Sequence, residues 1–264
     1  DFVPKPDYAQ ILMSADEPPE GSIGYNPHFY YPQNGGIQTI TDALYSRIKR
    51  NVKLELNLES INPLKKTITV NGKQIKYSTL SSSIPLKNLM QLIPSLPDNI
   101  KNIVKDLHSI SVLYLNIGFS GQCPHKYHWI YFPESKFNFY RIGFYNNISP
   151  ALVPKDSTSI YVEFSYREKL PFNLCNLLKK LLNLLKSSKL INKDAEITAF
   201  DMNEIKHAYV IYTLKMEKYI SEITKYLNSR SIYTLGRYGN WEYSSMEKSI
   251  RDAYQCLDRI KGNA

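Results

Sequence analysis

The spacing of apolar positions changes several times along the chain, and each change marks an element. Ile40, Leu44 and Ile48 recur at helical spacing, which predicts a helix over Thr39–Arg50. Val52, Leu54, Leu56 and Leu58 then alternate with polar residues, the pattern of a half-buried strand. Thr67–Val70 and Gln74–Tyr77 flank Asn71-Gly72. Both residues of such a turn must take positive φ, so this pair predicts a tight hairpin. A further strand ends at Ser81–Pro85, and Pro94 and Pro97 divide residues 86–107 into two short helices. Strands are expected over Ser111–Ile117, Trp129–Phe132, Phe139–Tyr145 and Ser159–Tyr166, separated by turn residues and so arranged as an antiparallel sheet. A helix over Phe172–Ser187, strands over Glu196–Phe200 and Ala208–Tyr212, a helix over Met216–Leu227, a strand over Ile232–Leu235 and a helix over Ser245–Ile260 complete the pattern. Residues 1–30, with Pro18-Pro19 and Gly21, read as an irregular lead-in, a start that suggests a segment upstream.

Composition narrows the function classes. The chain has 264 residues, 43% hydrophobic and 22% charged, enough for one large domain or two modest ones with a real core. The net charge of +9 is spread out. Its densest runs are Lys49-Arg50, Lys65-Lys66 and Lys179-Lys180, and none forms the basic stripe that tracks nucleic acid. Three distant cysteines, Cys123, Cys175 and Cys256, argue against a disulfide framework and fit a reducing compartment. Asp1–Gln10 show no signal-peptide pattern. Leu170–Leu184 is interrupted by Asn173, Asn176, Lys179, Lys180 and Asn183 and is too short to span a bilayer. The expected compartment is the cytoplasm, and the leucine-rich face of this helix is expected to pack in a core rather than lie on a membrane.

Several polar groups are candidates for chemistry. Cys123-Pro124-His125-Lys126-Tyr127-His128 holds three metal-ligand types but has no second pair at zinc spacing, so a surface loop and no metal are expected. His28, His128 and His207 titrate near neutrality and are candidate acids or bases, or structural residues. Arg141, on a predicted strand, either binds an anionic substrate group or is solvated. No Ser-His-Asp set stands at a recognisable motif and no Gly-x-Ser-x-Gly occurs, so hydrolase chemistry has no support in the sequence.

The most informative stretch is Gly236-Arg237-Tyr238-Gly239-Asn240-Trp241-Glu242-Tyr243-Ser244-Ser245-Met246-Glu247. An apolar strand ends in glycine, and a helix follows with Ser244-x-x-Glu247 as a capping box. A helix N-terminus suits a phosphate or an electron-rich ring edge, and Arg237 beside it suits a bidentate contact with a diphosphate. The alternative is an ordinary strand-loop-helix junction with Trp241 in the core.

This segment resembles the FAD-contacting motif near the C-terminus of a flavoprotein superfamily that includes amine oxidases, protoporphyrinogen oxidases and UDP-galactopyranose mutases. In the mutases the similar stretch reads Gly-Arg-Leu-Gly, an aromatic, a tyrosine two positions later, then Asp-Met. The resemblance implies that Arg237 contacts the FAD pyrophosphate, that residues around Met246 line the pyrimidine edge of the flavin, and that Tyr243 contacts a substrate diphosphate. Tyr238 and Ser245 depart from the mutase pattern. Three further stretches are similar, in order, to that superfamily. Phe29-Tyr30-Tyr31-Pro32 with Gly35-Gly36-Ile37 resembles its Pro-x-x-Gly-Gly segment, Val52–Ile61 the strand that meets the adenine at Leu58, and Tyr77–Leu86 the step through Pro85 between domains.

The resemblance implies an α/β fold: the two-domain FAD/NAD(P)-binding, Rossmann-like superfamily fold lacking its N-terminal dinucleotide-binding half, with a mixed or antiparallel-sheet substrate domain. Residues 1–84 and 200–264 would belong to the FAD-binding domain and 85–199 to the substrate domain. The cofactor would be FAD, held by Gly236, Arg237, Gly239, Trp241, Tyr243, Ser245, Met246, Leu58 and Pro85. Tyr31, His128, Arg141 and Tyr243 would face a small-molecule substrate, anionic or a nucleotide sugar. None of the 11 glycines forms Gly-x-Gly-x-x-Gly, so the primary FAD cradle must come from a missing N-terminal half. The chain then reads as a fragment, a split-gene product or one half of a two-chain enzyme. The expected function is part of an FAD-dependent oxidoreductase of the amine-oxidase or protoporphyrinogen-oxidase type. The alternatives are a nucleotide-sugar mutase, which needs two arginines converging on a diphosphate, and a non-catalytic interaction domain that keeps the fold.

Overall fold

The structure is a computed structural model that describes Leu12 and residues 29–134, 136–169 and 174–262. The lead-in before residue 29, with His28, and the first residues of the predicted helix at 172 lie outside the described residues. Three sheets and six helices of six residues or more organise what is described, a mixed α/β fold with antiparallel sheets.

Helix α1 (Gln38–Ile48) is followed by a three-stranded antiparallel sheet of β1 (Leu58–Asn62), β2 (Thr67–Val70) and β3 (Lys73–Lys76). The Asn71-Gly72 turn takes φ of 45° and 74°, as the sequence requires. The strand expected from Val52 starts only at Leu58. Its alternation has no partner strand over 52–57 among the described residues, and Leu54 and Leu56 stay exposed. A period-2 pattern makes a strand only when an edge is there to pair with.

β4 (Leu80–Ser82) pairs in parallel with β10 (Ile232–Thr234), joining two stretches far apart in the sequence. Between them lie α2 (Leu86–Gln91) and α3 (Asp98–Lys105), then the large sheet, in the order β6-β7-β8-β5-β9. These strands are β5 (Ser109–Ser120), β6 (Trp129–Tyr131), β7 (Arg141–Phe144), β8 (Ser157–Tyr166) and β9 (Ile197–Val210). All are antiparallel. The two strands expected over 196–212 are one 14-residue strand. Met202–Ile205 pair with β5, and a bulge with His207 at φ 58° absorbs the shift in register.

Two cores hold the molecule. The odd positions of β5, Leu113, Leu115, Ile117 and Phe119, pack with Ile160, Val162 and Phe164 of β8 against Leu177, Leu181 and Leu185 of α4 (Leu174–Ser187). The leucine stripe of α4 is therefore core. No helix among the described residues is long and apolar enough to cross a membrane. The second core joins Ile61, α2, α3, Ile223 and Leu227 of α5 (Met216–Asn228), Ile232 and Trp241. The chain ends in α6 (Met246–Gly262).

Candidate functional site

The glycine segment after β10 is built by close approach. Leu235 N–H donates to the Ser82 carbonyl, and Gly236 turns the chain at φ 70°. A single helical turn, Gly236–Gly239, follows. A Cβ on Gly239 would sit 2.7 Å from the Ser82 oxygen, so only glycine lets this turn lie on the end of β4. Trp241, at φ 54°, turns its ring into the second core, where it is 1% exposed and 5.4 Å from the His207 ring. Its Nε1 is buried without a partner among the described residues.

Polar groups fix this turn to α6. Asn240 accepts from the Thr234 hydroxyl and donates to the buried Asp252. Lys248 bridges Asp252 and Glu242. Burial works against its charge, but the two carboxylates prevail and hold its pKa above the usual lysine value. The helix cap differs from the expected Ser244-Glu247 box. The helix begins one residue later, so the Ser245 hydroxyl accepts from Lys248 N–H, while Glu247 pairs with Arg251.

Arg237 is half-buried, and its guanidinium donates to the carbonyls of Ser244 (3.1 Å) and Ala208 (2.6 Å). It lies 5.2 Å from the Tyr209 ring and 4.9 Å from the Tyr243 ring, and the two rings are stacked at 6.1 Å. Two of its five donors are thereby spent on the protein. Ser245 and Met246 are exposed at the N-terminus of α6. A helix start, an arginine and exposed apolar surface together fit an anionic group joined to a flat ring.

The large sheet carries a second cluster on the face away from α4. Arg141 on β7 pairs bidentately with Glu163 on β8, at 2.6 and 3.0 Å. The same carboxylate accepts from the Tyr140 hydroxyl, and Tyr131 accepts from Arg141. The Arg141 guanidinium lies 5.7–5.9 Å from the rings of Tyr131, Tyr140 and Tyr161. Gly143 lacks a side chain because the Tyr161 ring occupies that space, with ring atoms 2.0 Å from where a Cβ would be. Tyr161 in turn lies 5.3 Å from Tyr145, whose hydroxyl donates to Asn116.

Burial raises the pKa of Tyr140, Tyr145 and Tyr161, that of Tyr145 to about 12, and neighbouring phenols and Glu163 add to it. These phenols stay protonated at neutral pH, and Tyr140 and Tyr145 donate their protons to Glu163 and Asn116. Tyr209 bears electrostatically on Tyr140 and Tyr161 while it lies against Arg237.

The structure thus brings together Gly236, Arg237, Gly239, Tyr243, Ser245 and Met246 in one segment, and places Arg141 in the tyrosine cluster of the large sheet. Tyr31 reaches the same cluster, bearing on Tyr145. Leu58 is half-buried at the start of β1, and Pro85 precedes α2. His128 is exposed beside Phe29 and Trp129. The sequence reading missed Tyr140, Tyr145, Tyr161, Glu163 and Tyr209. Alternation along β5 and β8 was the available signal for two of them, because it places Tyr161 and Glu163 on the face opposite the apolar core. No group of three or more His, Cys, Asp or Glu side chains able to hold a metal occurs among the described residues. His125 instead accepts from the Tyr127 N–H, and the Cys123 thiol donates to the His125 carbonyl, which staples the loop.

No protein-family model matches the chain. Among solved structures, the chain is similar to a reduced UDP-galactopyranose mutase, with a TM-score of 0.87 and 25% identity over 98% of this chain and 58% of that one. It is similar in fold to a protein assigned as a protoporphyrinogen oxidase from Exiguobacterium sp. 255-15, with a TM-score of 0.70, 14% identity, and coverage of 87% and 51%. It is also similar in fold to an oxidoreductase from Methanosarcina mazei, with a TM-score of 0.56, 15% identity, and coverage of 85% and 55%. The chain spans little more than half the length of the structures it matches. Its fold is that of the FAD-dependent oxidoreductases.

Proposed function

We propose that the chain is part of an FAD-dependent oxidoreductase acting on a small anionic substrate. The observation that carries this reading is the Gly236–Met246 segment, where a glycine turn, Arg237 and the start of α6 converge beside exposed Tyr243 and Met246. In this reading Arg237 turns its remaining donors to the FAD pyrophosphate, Gly236 and Gly239 permit close backbone approach, and Ser245 and Met246 border the flavin. Leu58 and Pro85 line the route of the cofactor, and Trp241 supports the turn from the core. Tyr31, His128, Arg141 and Tyr243 face the substrate. A bound flavin would supply the chemistry: hydride acceptance here, or nucleophilic attack by the reduced ring in the second reading below.

The primary FAD cradle belongs to a dinucleotide-binding half outside this sequence. The exposed apolar residues Ile40, Leu44 and Ile48 of α1, with Leu54 and Leu56, support a docking surface for it. Residues 1–84 and 200–264 form the cofactor domain in this reading, and 85–199 the substrate domain.

A second reading, a nucleotide-sugar mutase, is favoured by one observation. Arg141 and Arg237 are both half-buried against tyrosine rings, two cations of the kind a diphosphate needs.

The test is a flavin-fluorescence titration of FAD against the chain, alone and co-expressed with the dinucleotide-binding half, followed by flavin-dependent turnover of amines, porphyrinogens and nucleotide sugars. Binding only with the added half supports the split site. No binding in either case overturns both readings and leaves an interaction domain.

A further inference from the structure

A second cluster lies at the bulge where β9 leaves β5, around the left-handed His207. The side-chain amide oxygen of Asn88, on α2, is 3.0 Å from His207 Nε2. An amide oxygen only accepts, so Nε2 carries the ring proton. Nδ1 of the neutral ring is then a lone pair, and the Ser109 hydroxyl lies 2.6 Å from it and donates to it. Burial lowers the pKa of His207, and the ammonium groups of Lys87 and Lys206 lower it further, which keeps the ring neutral near pH 7. The Trp241 ring backs the imidazole.

Ser109 and His207 open on a cavity of about 560 Å³, which Lys87, Lys206 and Arg167 also line. Two carboxylates, Glu168 and Glu204, lie at the same cavity, along with His108 and Tyr166. The Tyr166 hydroxyl engages Glu204, and Lys87 donates to the Leu107 carbonyl. A hydroxyl, a base oriented by a third group, and a cavity of ligand size lined by three basic and two acidic side chains are thus brought together.

We propose that Ser109 is a nucleophile that takes an acyl group from an ester carrying an anionic group, with His207 as its base and Asn88 as the positioning residue. The Ser109 oxygen forms a bond to the carbonyl carbon, and the bond from that carbon to the alcohol oxygen breaks. The serine proton passes to His207 Nδ1 and then to the departing alcohol. Water, attacking with the same base, releases the carboxylic acid and restores the serine hydroxyl. The side chains of Lys87, Arg167 and Lys206 receive the anionic part of the ester.

The probes are p-nitrophenyl hemisuccinate, which carries a carboxylate, and neutral p-nitrophenyl acetate. The readouts are nitrophenol release by the whole chain and mass mapping of the modified peptide. The expected result is one acyl group on Ser109, placed at least ~10-fold faster by the anionic ester. Ser109→Ala abolishes that modification. His207→Asn, which tolerates positive φ, slows it roughly 100-fold. Asn88→Ala slows it, and Asn88→Asp restores the rate. Acyl groups found only on lysines, nitrophenol release that a folded Ser109→Ala variant keeps, or an undiminished rate in a folded His207→Asn variant would each overturn the proposal. Mapping on the unaltered chain decides the matter even if a variant fails to fold.

Discussion

The guanidinium of Arg237 lies 4.9 Å from the ring of Tyr243, six residues further along the chain, and closes the loop between them by donating to the Ser244 carbonyl. The same group reaches across to the Ala208 carbonyl on β9. One side chain thus ties the glycine turn to the large sheet. Replacing it with alanine removes two charge-assisted hydrogen bonds and is expected to cost about 2 kcal/mol. Lysine, a point charge without the planar fork, recovers little of that. Urea unfolding of Arg237→Ala and Arg237→Lys measures both. A loss below about 0.5 kcal/mol in the alanine variant would show that the contacts are idle.

Gly239 and Gly72 predict different penalties from the same substitution. At Gly239 the added methyl meets the Ser82 backbone oxygen at 2.7 Å, which cannot move without disturbing the β4–β10 pair. Gly239→Ala should cost about 1–3 kcal/mol. At Gly72 nothing lies within 4 Å, and only the positive φ of 74° opposes alanine, a cost of about 1 kcal/mol. Thermal melts of the two variants should rank Gly239→Ala as the more damaging.

These glycines show what the sequence made legible and what it hid. Local rules placed the hairpin at Asn71-Gly72 and the turn at Gly236, because turn chemistry depends on the residues themselves. A strand was expected over Ser111–Ile117, and Leu113, Leu115 and Ile117 alternate on the face that α4 covers. The pattern over Val52–Leu58 failed because pairing depends on a neighbour, and no residue in the segment encodes whether one is there. The tyrosine cluster was hidden for a related reason. Tyr131, Tyr145 and Tyr161 come from separate stretches, and only the sheet order β6-β7-β8-β5-β9 gathers them around Arg141. The same holds for Asn88, Ser109 and His207, which no sequence motif links.

The tyrosine cluster predicts an alkaline limit to stability. Tyr145 ionises at 10.0 when free and at about 12 in the folded protein, first because it is buried and then because of Tyr161. The unfolded chain therefore loses this proton before the native state does. The stabilisation is fully present below pH 10 and is lost as pH rises towards 12. Tyr145→Phe should flatten that decline, read as unfolding free energy against pH. An equally steep decline in Tyr145→Phe would assign it to other groups.

The pair Arg141–Glu163 should be worth more as a positioned unit than as a source of stability. The two side chains are 23% and 13% exposed, and their hydrogen bonds also hold Tyr131 and Tyr140. Glu163→Gln leaves a largely buried cation without its counter-charge and should cost about 2–3 kcal/mol. Removing both charges with Arg141→Met and Glu163→Gln together should restore much of that, since desolvation offsets most of the attraction within such a pair. A double-mutant cycle by urea unfolding makes the comparison. Under the proposed function, the double variant should recover its stability but not its affinity for an anionic substrate. Stability and affinity recovering together would remove Arg141 from the substrate site.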